Sequence, residues 1–91
     1  MKKEDAVEIL VAREQEHDAL FADGFEDAIL GVAQQFSRPV VIAYDRNKCI
    51  RILMERDGMT AEEAEECFEF NTQGAWVGER TPIFVVTSTE L

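Results

Sequence analysis

The sequence predicts an α+β domain in which a small three-stranded antiparallel sheet carries a helical hairpin, with a further helix at the N-terminus, in the order α-β-β-α-α-β. Three observations lead there. Two helix-opening signatures follow one another, Asp45 before an apolar periodic run and Thr60-Ala-Glu-Glu63, and they are closed by Gly58 and Gly74. Two β-branched runs flank that pair, Val40-Val41-Ile42-Ala43-Tyr44 and Ile83-Phe84-Val85-Val86. The 91 residues, 46% of them hydrophobic, suffice for one core and therefore one domain. Three strands alone are marginal in water, so the helical hairpin is expected to cover them.

Residues 4–20 read as the first helix, because Val7, Leu10 and Val11 fall at i, i+3, i+4 spacing and Ala6 with Ile9 widens the stripe. From Arg13 to Asp18 every position is polar, which leaves the second half of that helix to solvent or to another subunit. Residues 1–21 are thus expected to form a peripheral helix, and residues 25–87 the α+β core, with Asp23 and Gly24 as punctuation between them.

Residues 25–36 admit two readings. Phe25, Ile29, Val32, Ala33 and Phe36 have helical spacing, and Asp23 with Glu26 imitates a capping box; Ala28, Leu30, Val32 and Phe36 alternate as in a strand. The strand is favoured, since Gly31 would cost a helix about 1 kcal/mol in its middle. Ser37-Arg38-Pro39 then leads straight into the run at Val40, and the two segments make a hairpin.

Asp45 caps the next helix, whose apolar stripe is Cys49, Ile50, Leu53 and Met54. After the short Asp57-Gly58-Met59 link, the helix opened by Thr60 turns Ala61, Ala64, Phe68 and Asn71 inward. Phe68 and Phe70 stand about 200° apart on such a helix and cannot share one core face. One of them must meet a different surface. Residues 81–87, with Pro82 at the start, read as the third strand.

The formal charge of −10 argues against nucleic-acid binding, which needs clustered Lys and Arg, and against an anionic membrane. No apolar run approaches the roughly 20 residues of a membrane span. Acids also interrupt the start where a signal peptide would need an apolar core, so a cytoplasmic protein is expected. The charge is segregated. Nine acids stand against Lys2, Lys3 and Arg13 in residues 1–30, a basic stretch follows from Arg38 to Arg56, and residues 60–79 hold six acids and no base.

Ala28 and Gly31, Tyr44-Asp45 with Lys48, Asp57-Gly58-Met59, Glu63-Ala64, Phe68-Glu69-Phe70-Asn71, Gly74-Ala75-Trp76, Gly78-Glu79 and Thr81-Pro82 form a pattern of their own. In it the chain, over residues 25–85, resembles a group of small acidic phage and prophage proteins to which no activity is assigned. The resemblance implies a setting, an accessory protein in a bacterial host cell, and transfers no role to any residue.

No catalytic motif is present. His17 is the only histidine, on the polar half of the first helix, without the convergent partners that base catalysis or metal binding requires. Cys49 and Cys67 have neither CxxC spacing nor a nearby His and read as reduced, half-buried thiols. The Asp57–Glu66 stretch lacks the alternating oxygens of a calcium loop, and no cofactor or metal is expected.

Two candidate sites remain. Glu62, Glu65, Glu66 and Glu69 hold like-charge pairs at helical spacing, partly offset by the helix N-terminus and by Lys48 and Arg51 of the neighbouring helix. With Phe70 they would make a docking face for a host protein with a basic surface. Tyr44, Asp45, Asn71, Trp76, Glu79 and Thr81 stand at element ends and could line a ligand pocket, although Trp76 also reads as a lid on the core. The favoured function is a non-enzymatic module that binds a host protein; the alternative is a small-ligand binder or minimal enzyme. A homodimer is expected, because Phe70, the N-terminal stripe and a strand edge are hard to bury in one copy.

Overall fold

The computed structural model describes residues 1–13 and 19–89, the side chain of Gln73 apart. Helix α1 (Lys3–Ala12) is followed by a 3-10 turn (Glu26–Ala28), strands β1 (Ile29–Ala33) and β2 (Val41–Asp45), helices α2 (Arg46–Asp57) and α3 (Ala61–Phe68), a π-turn (Glu69–Gln73) and strand β3 (Ile83–Val85). The protein is α+β, in the expected element order. The polar run after Arg13, with His17, lies outside the described residues.

Segment 25–36 is a strand only in its middle. Phe25 and the 3-10 turn precede β1, which pairs antiparallel with β2 in the register Ile29↔Tyr44, Val32↔Ile42 and Ala33↔Val41, with a bulge between Ile29 and Gly31. The hairpin loop turns through Ser37 at φ 62°, a left-handed position.

The sheet is mixed, not antiparallel. Its order is β1-β2-β3, and β3 runs parallel to β2 with Tyr44↔Phe84 in register. The reason is the path between them. Helix α2 begins directly at the end of β2, and α3 comes back antiparallel to it, so that Glu69 returns to within 2.7 Å of Arg46. A strand starting there would run antiparallel to β2. Instead residues 74–82 carry the chain back to the other end of the sheet, where Trp76, Glu79 and Thr81 stand beside Ala33 and Val41. Nine residues (74–82) span up to roughly 30 Å when extended, enough for that return.

The helix ends follow local chemistry. The Asp45 carboxylate accepts the Lys48 backbone N–H at 3.2 Å, and Gly58 closes α2 at φ 68°, where a side chain would be strained. The Thr60 hydroxyl accepts the Glu63 N–H at 3.2 Å while the Glu63 carboxylate accepts the Thr60 N–H at 3.0 Å, completing the capping box. The π-turn ends when the Gly74 N–H donates to Glu69 O at 2.9 Å. A Cβ at Gly74 would lie 2.8 Å from that same oxygen, so only glycine closes the turn without displacing backbone.

Cys49, Ile50 and Leu53 are buried on α2, and Ala64 and Phe68 on α3. On α1 the buried positions are Ala6 and Leu10, whereas Val7 and Val11 are exposed, so the stripe is rotated from the sequence reading. Asn71, read as an inner position, is exposed. Four rings join the layers: Phe25 meets Phe68 edge-on at 5.8 Å, Phe68 meets Phe84 edge-on at 4.9 Å, and Phe84 stacks on Tyr44 at 5.6 Å. Each such pair contributes about 0.5–1.5 kcal/mol beyond its buried area.

Candidate functional site

Helix α3 points Ala64 and Phe68 into the core and Glu62, Glu65, Glu66 and Glu69 outward. The four carboxylates do not share one environment. Arg46, the first residue of α2, stands level with the end of α3, and its side chain is only 12% exposed. Its guanidinium lies 5.7 Å from the Phe68 ring centre and donates to Glu69 Oε1 at 2.7 Å and to Glu65 Oε1 at 3.5 Å. Arg46 therefore offsets part of the charge on one flank of the acidic helix and joins α2 to α3. Lys48 and Arg51, the bases expected in that role, are exposed and make no ion pair among the described residues. Their positions on α2 turn them away from α3.

Glu62 and Glu66 make no ion pair among the described residues. They precede Phe70 at steps of four, and Phe70 is 84% exposed. Glu62, Glu66 and Phe70 thus form an outer stripe, two uncompensated carboxylates and an unburied ring, beside an inner flank already satisfied by Arg46. Phe68 and Phe70 part as the helix geometry requires, the first to the core and the second to solvent.

The second candidate set is brought together only in part: Trp76, Glu79 and Thr81 line one hollow, Asn71 and Thr81 another, and Tyr44 and Asp45 line neither. The Tyr44 side chain is buried, its hydroxyl accepts the Ala22 N–H at 2.8 Å, and burial pushes its pKa up. Asp45 is occupied as the α2 cap and by the Thr87 hydroxyl, which donates to it at 3.1 Å. Trp76 is 75% exposed and so does not close over the core, contrary to the lid reading. The Thr81 hydroxyl donates to Gly78 O at 2.7 Å and accepts the Val77 N–H at 2.9 Å, which closes the loop on itself.

Two open hollows flank this loop and share Thr81. One, of about 580 Å³, is lined by Ala33, Val41, Trp76 and Ile83 and by the Arg38–Glu79 pair at 3.0 Å. Both members of that pair are exposed, so it contributes little to stability. The other hollow, of about 440 Å³, is mainly apolar, with Phe21, Phe25, Pro82 and Phe84, and Asn71 at its edge. The exposed Asn71 amide donates to Cys67 Sγ at 3.5 Å. Neither hollow brings a nucleophile against a base. Cys49 is fully buried, and burial pushes its thiol up to about 12, so it remains protonated and inert. Among the described residues no three His, Cys, Asp or Glu side chains come together in a metal-holding group, and no helix is long and apolar enough to cross a membrane.

Two residues with clear roles escaped the sequence reading. Arg46 was hidden because nothing local marks a helix's first residue as the counter-ion of another helix. Asn47 is buried and donates its amide to Ser88 O at 2.7 Å, tying down the chain after β3; a polar side chain on an otherwise apolar stripe was its only signal. Compared with protein-family models, with curated proteins and with solved structures, the chain finds no match in any of the three.

Proposed function

We propose that this chain is a non-enzymatic accessory protein, of phage or prophage setting, that binds and modulates a host protein in the bacterial cytoplasm through the stripe Glu62, Glu66 and Phe70. One observation carries the reading: a phenylalanine 84% exposed stands at the end of a row of carboxylates that the fold does not compensate, while the adjacent carboxylates are held by Arg46. A ring left in solvent gains from burial against a partner, and buried aromatic anchors dominate most interfaces. The carboxylates around it raise the association rate with a basic surface more than the final affinity. Glu65 and Glu69, also candidates on the sequence, serve the fold first. The phage setting is supported by the residue pattern over 25–85 alone.

The ligand-binding alternative has the apolar hollow at Phe21, Phe25 and Phe84 in its favour. Of Tyr44, Asn71 and Trp76 only Asn71 lines that hollow, so it ranks second.

The test is capture from bacterial lysate by the tagged protein, with mass spectrometry of what is held. The Glu62→Gln/Glu66→Gln/Phe70→Ser variant should fold and melt as the parent does and lose the captured protein. Capture by the parent should weaken as salt shortens the screening length below about 8 Å. A variant that holds the same protein at the same yield refutes the proposal, and a small molecule retained by both directs attention to the hollow.

A further inference from the structure

The two edges of the sheet are treated differently. At β1 the edge is interrupted by the bulge at Leu30, the Met1 ammonium donates to Ile29 O at 2.8 Å, and α1 packs against the strand. Such devices keep an edge from pairing with another chain. Among the described residues strand β3 has β2 on one side and no strand on the other, and no backbone group of Ile83, Phe84 or Val85 bonds to a segment beyond β2. Its outward side chains are apolar: Ile83 is 44% exposed, Val85 38%, and Val86, just past the strand, 65%. The charged or inward-turned residues that guard exposed edges are missing.

We propose that the β3 edge is a self-docking surface, where the β3 strands of two copies pair antiparallel about a two-fold axis and join two three-stranded sheets into one of six strands. Charge selects the occupant. Each copy carries −10, so a second copy approaches only where carboxylates are few. Residues 81–89, Thr-Pro-Ile-Phe-Val-Val-Thr-Ser-Thr, hold no charge at all in a chain that is 31% charged, whereas the outer faces of α1 and α3 are acidic. A basic partner would find no attraction at this segment; an identical acidic chain finds there an uncharged stretch that lies on an open strand edge.

Area agrees with this occupant. Ile83, Val85 and Val86, with Val77 and Trp76 of the adjoining loop, offer on the order of 600 Å² per copy, since one aromatic ring brings roughly 150–250 Å². Two copies then bury about 1,200 Å², the lower end of specific interfaces. The backbone groups left open on β3 gain partners in the same step, as in strand addition elsewhere. A two-fold axis closes the assembly at two copies, because each β3 edge is used once.

Sedimentation equilibrium across the micromolar range tests the inference. The parent should move with concentration from 10.3 kDa to twice that mass and stop there. Higher salt should favour the dimer by screening like charges, the opposite of its effect on a partner held by Glu62 and Glu66. Trp76, the sole tryptophan, should shift its emission to the blue as the dimer forms. Val85→Lys, whose stem still covers the sheet while its ammonium faces its counterpart in the second copy, should remain at the monomer mass with an unchanged circular dichroism spectrum. If that variant fails to fold, Val86→Lys, outside the strand, reads the same contact. A parent that stays monomeric, a mass that climbs past two copies without a plateau, or a lysine variant as dimeric as the parent overturns the inference.

Discussion

Replacing Phe68 and Phe70 in turn by alanine separates two rings that the sequence sets only two positions apart. Phe68 is fully buried, lies edge-on to Phe25 at 5.8 Å and to Phe84 at 4.9 Å, and carries the Arg46 guanidinium 5.7 Å above its face. A phenylalanine removed from a packed core costs about 3–5 kcal/mol, and the two edge-on contacts place this one in the upper half of that range. A domain of this length holds roughly 5–14 kcal/mol in all, so Phe68→Ala gives up a large share of it. At about 4–8 °C per kcal/mol the melting temperature should fall by roughly 15–40 °C. Phe70, 84% exposed, has little to lose, and Phe70→Ala should stay within about 0.5 kcal/mol of the parent. Thermal and urea unfolding followed by circular dichroism measure both. If the two variants lose similar stability, or Phe68→Ala loses less than about 1 kcal/mol, the placement of the rings and the stripe built on Phe70 both fail.

Thr60→Ala removes one half of the capping box and should cost about 1 kcal/mol, read by urea unfolding. The same change should let the Glu63 carboxyl, now held below its usual 4.5 by the Thr60 N–H and hydroxyl, titrate closer to that value in an NMR titration; no movement would mean that the hydroxyl is not its partner. For Cys49, burial raises the thiol from 9.0 to about 12, so the unfolded chain loses its proton first as the pH rises. The associated stability is therefore complete below pH 9 and is lost on the way to about pH 12, with the buried Tyr44 hydroxyl, raised from 10.0, acting in the same direction. Urea midpoints should fall through that interval and fall less in Cys49→Ala. In native protein a thiol reagent should label the half-buried Cys67 well before Cys49; equal rates would contradict the burial of Cys49.

What the chain's own order determined is what acts within a turn or two of the backbone. Asp45 and Thr60 cap the residues that follow them, Gly58 supplies a left-handed stop that a Cβ would strain, and β-branched runs at Val40 and Ile83 extend without outside instruction. These settle the α+β class, the element order and the helical hairpin. They also require that Phe68 and Phe70 part, because the angle per residue is a property of the helix. The spacing with Ala64 already turned Phe68 inward, and the tertiary structure buries it and leaves Phe70 to solvent. Only the tertiary structure rotated the buried face of α1 onto Ala6 and Leu10, and it ran β3 parallel to β2, since the route of residues 74–82 carries no periodicity that reveals where the return begins. For the same reason other residues at element ends could not be sorted in advance: Tyr44 went to the core and Trp76 to solvent. Arg46 was matched to Glu65 and Glu69 by the antiparallel packing of two helices, not by spacing in the chain. Caps and propensities are local energies summed along the sequence, whereas counter-ions, pocket walls and strand direction depend on distant segments that meet only when the core closes.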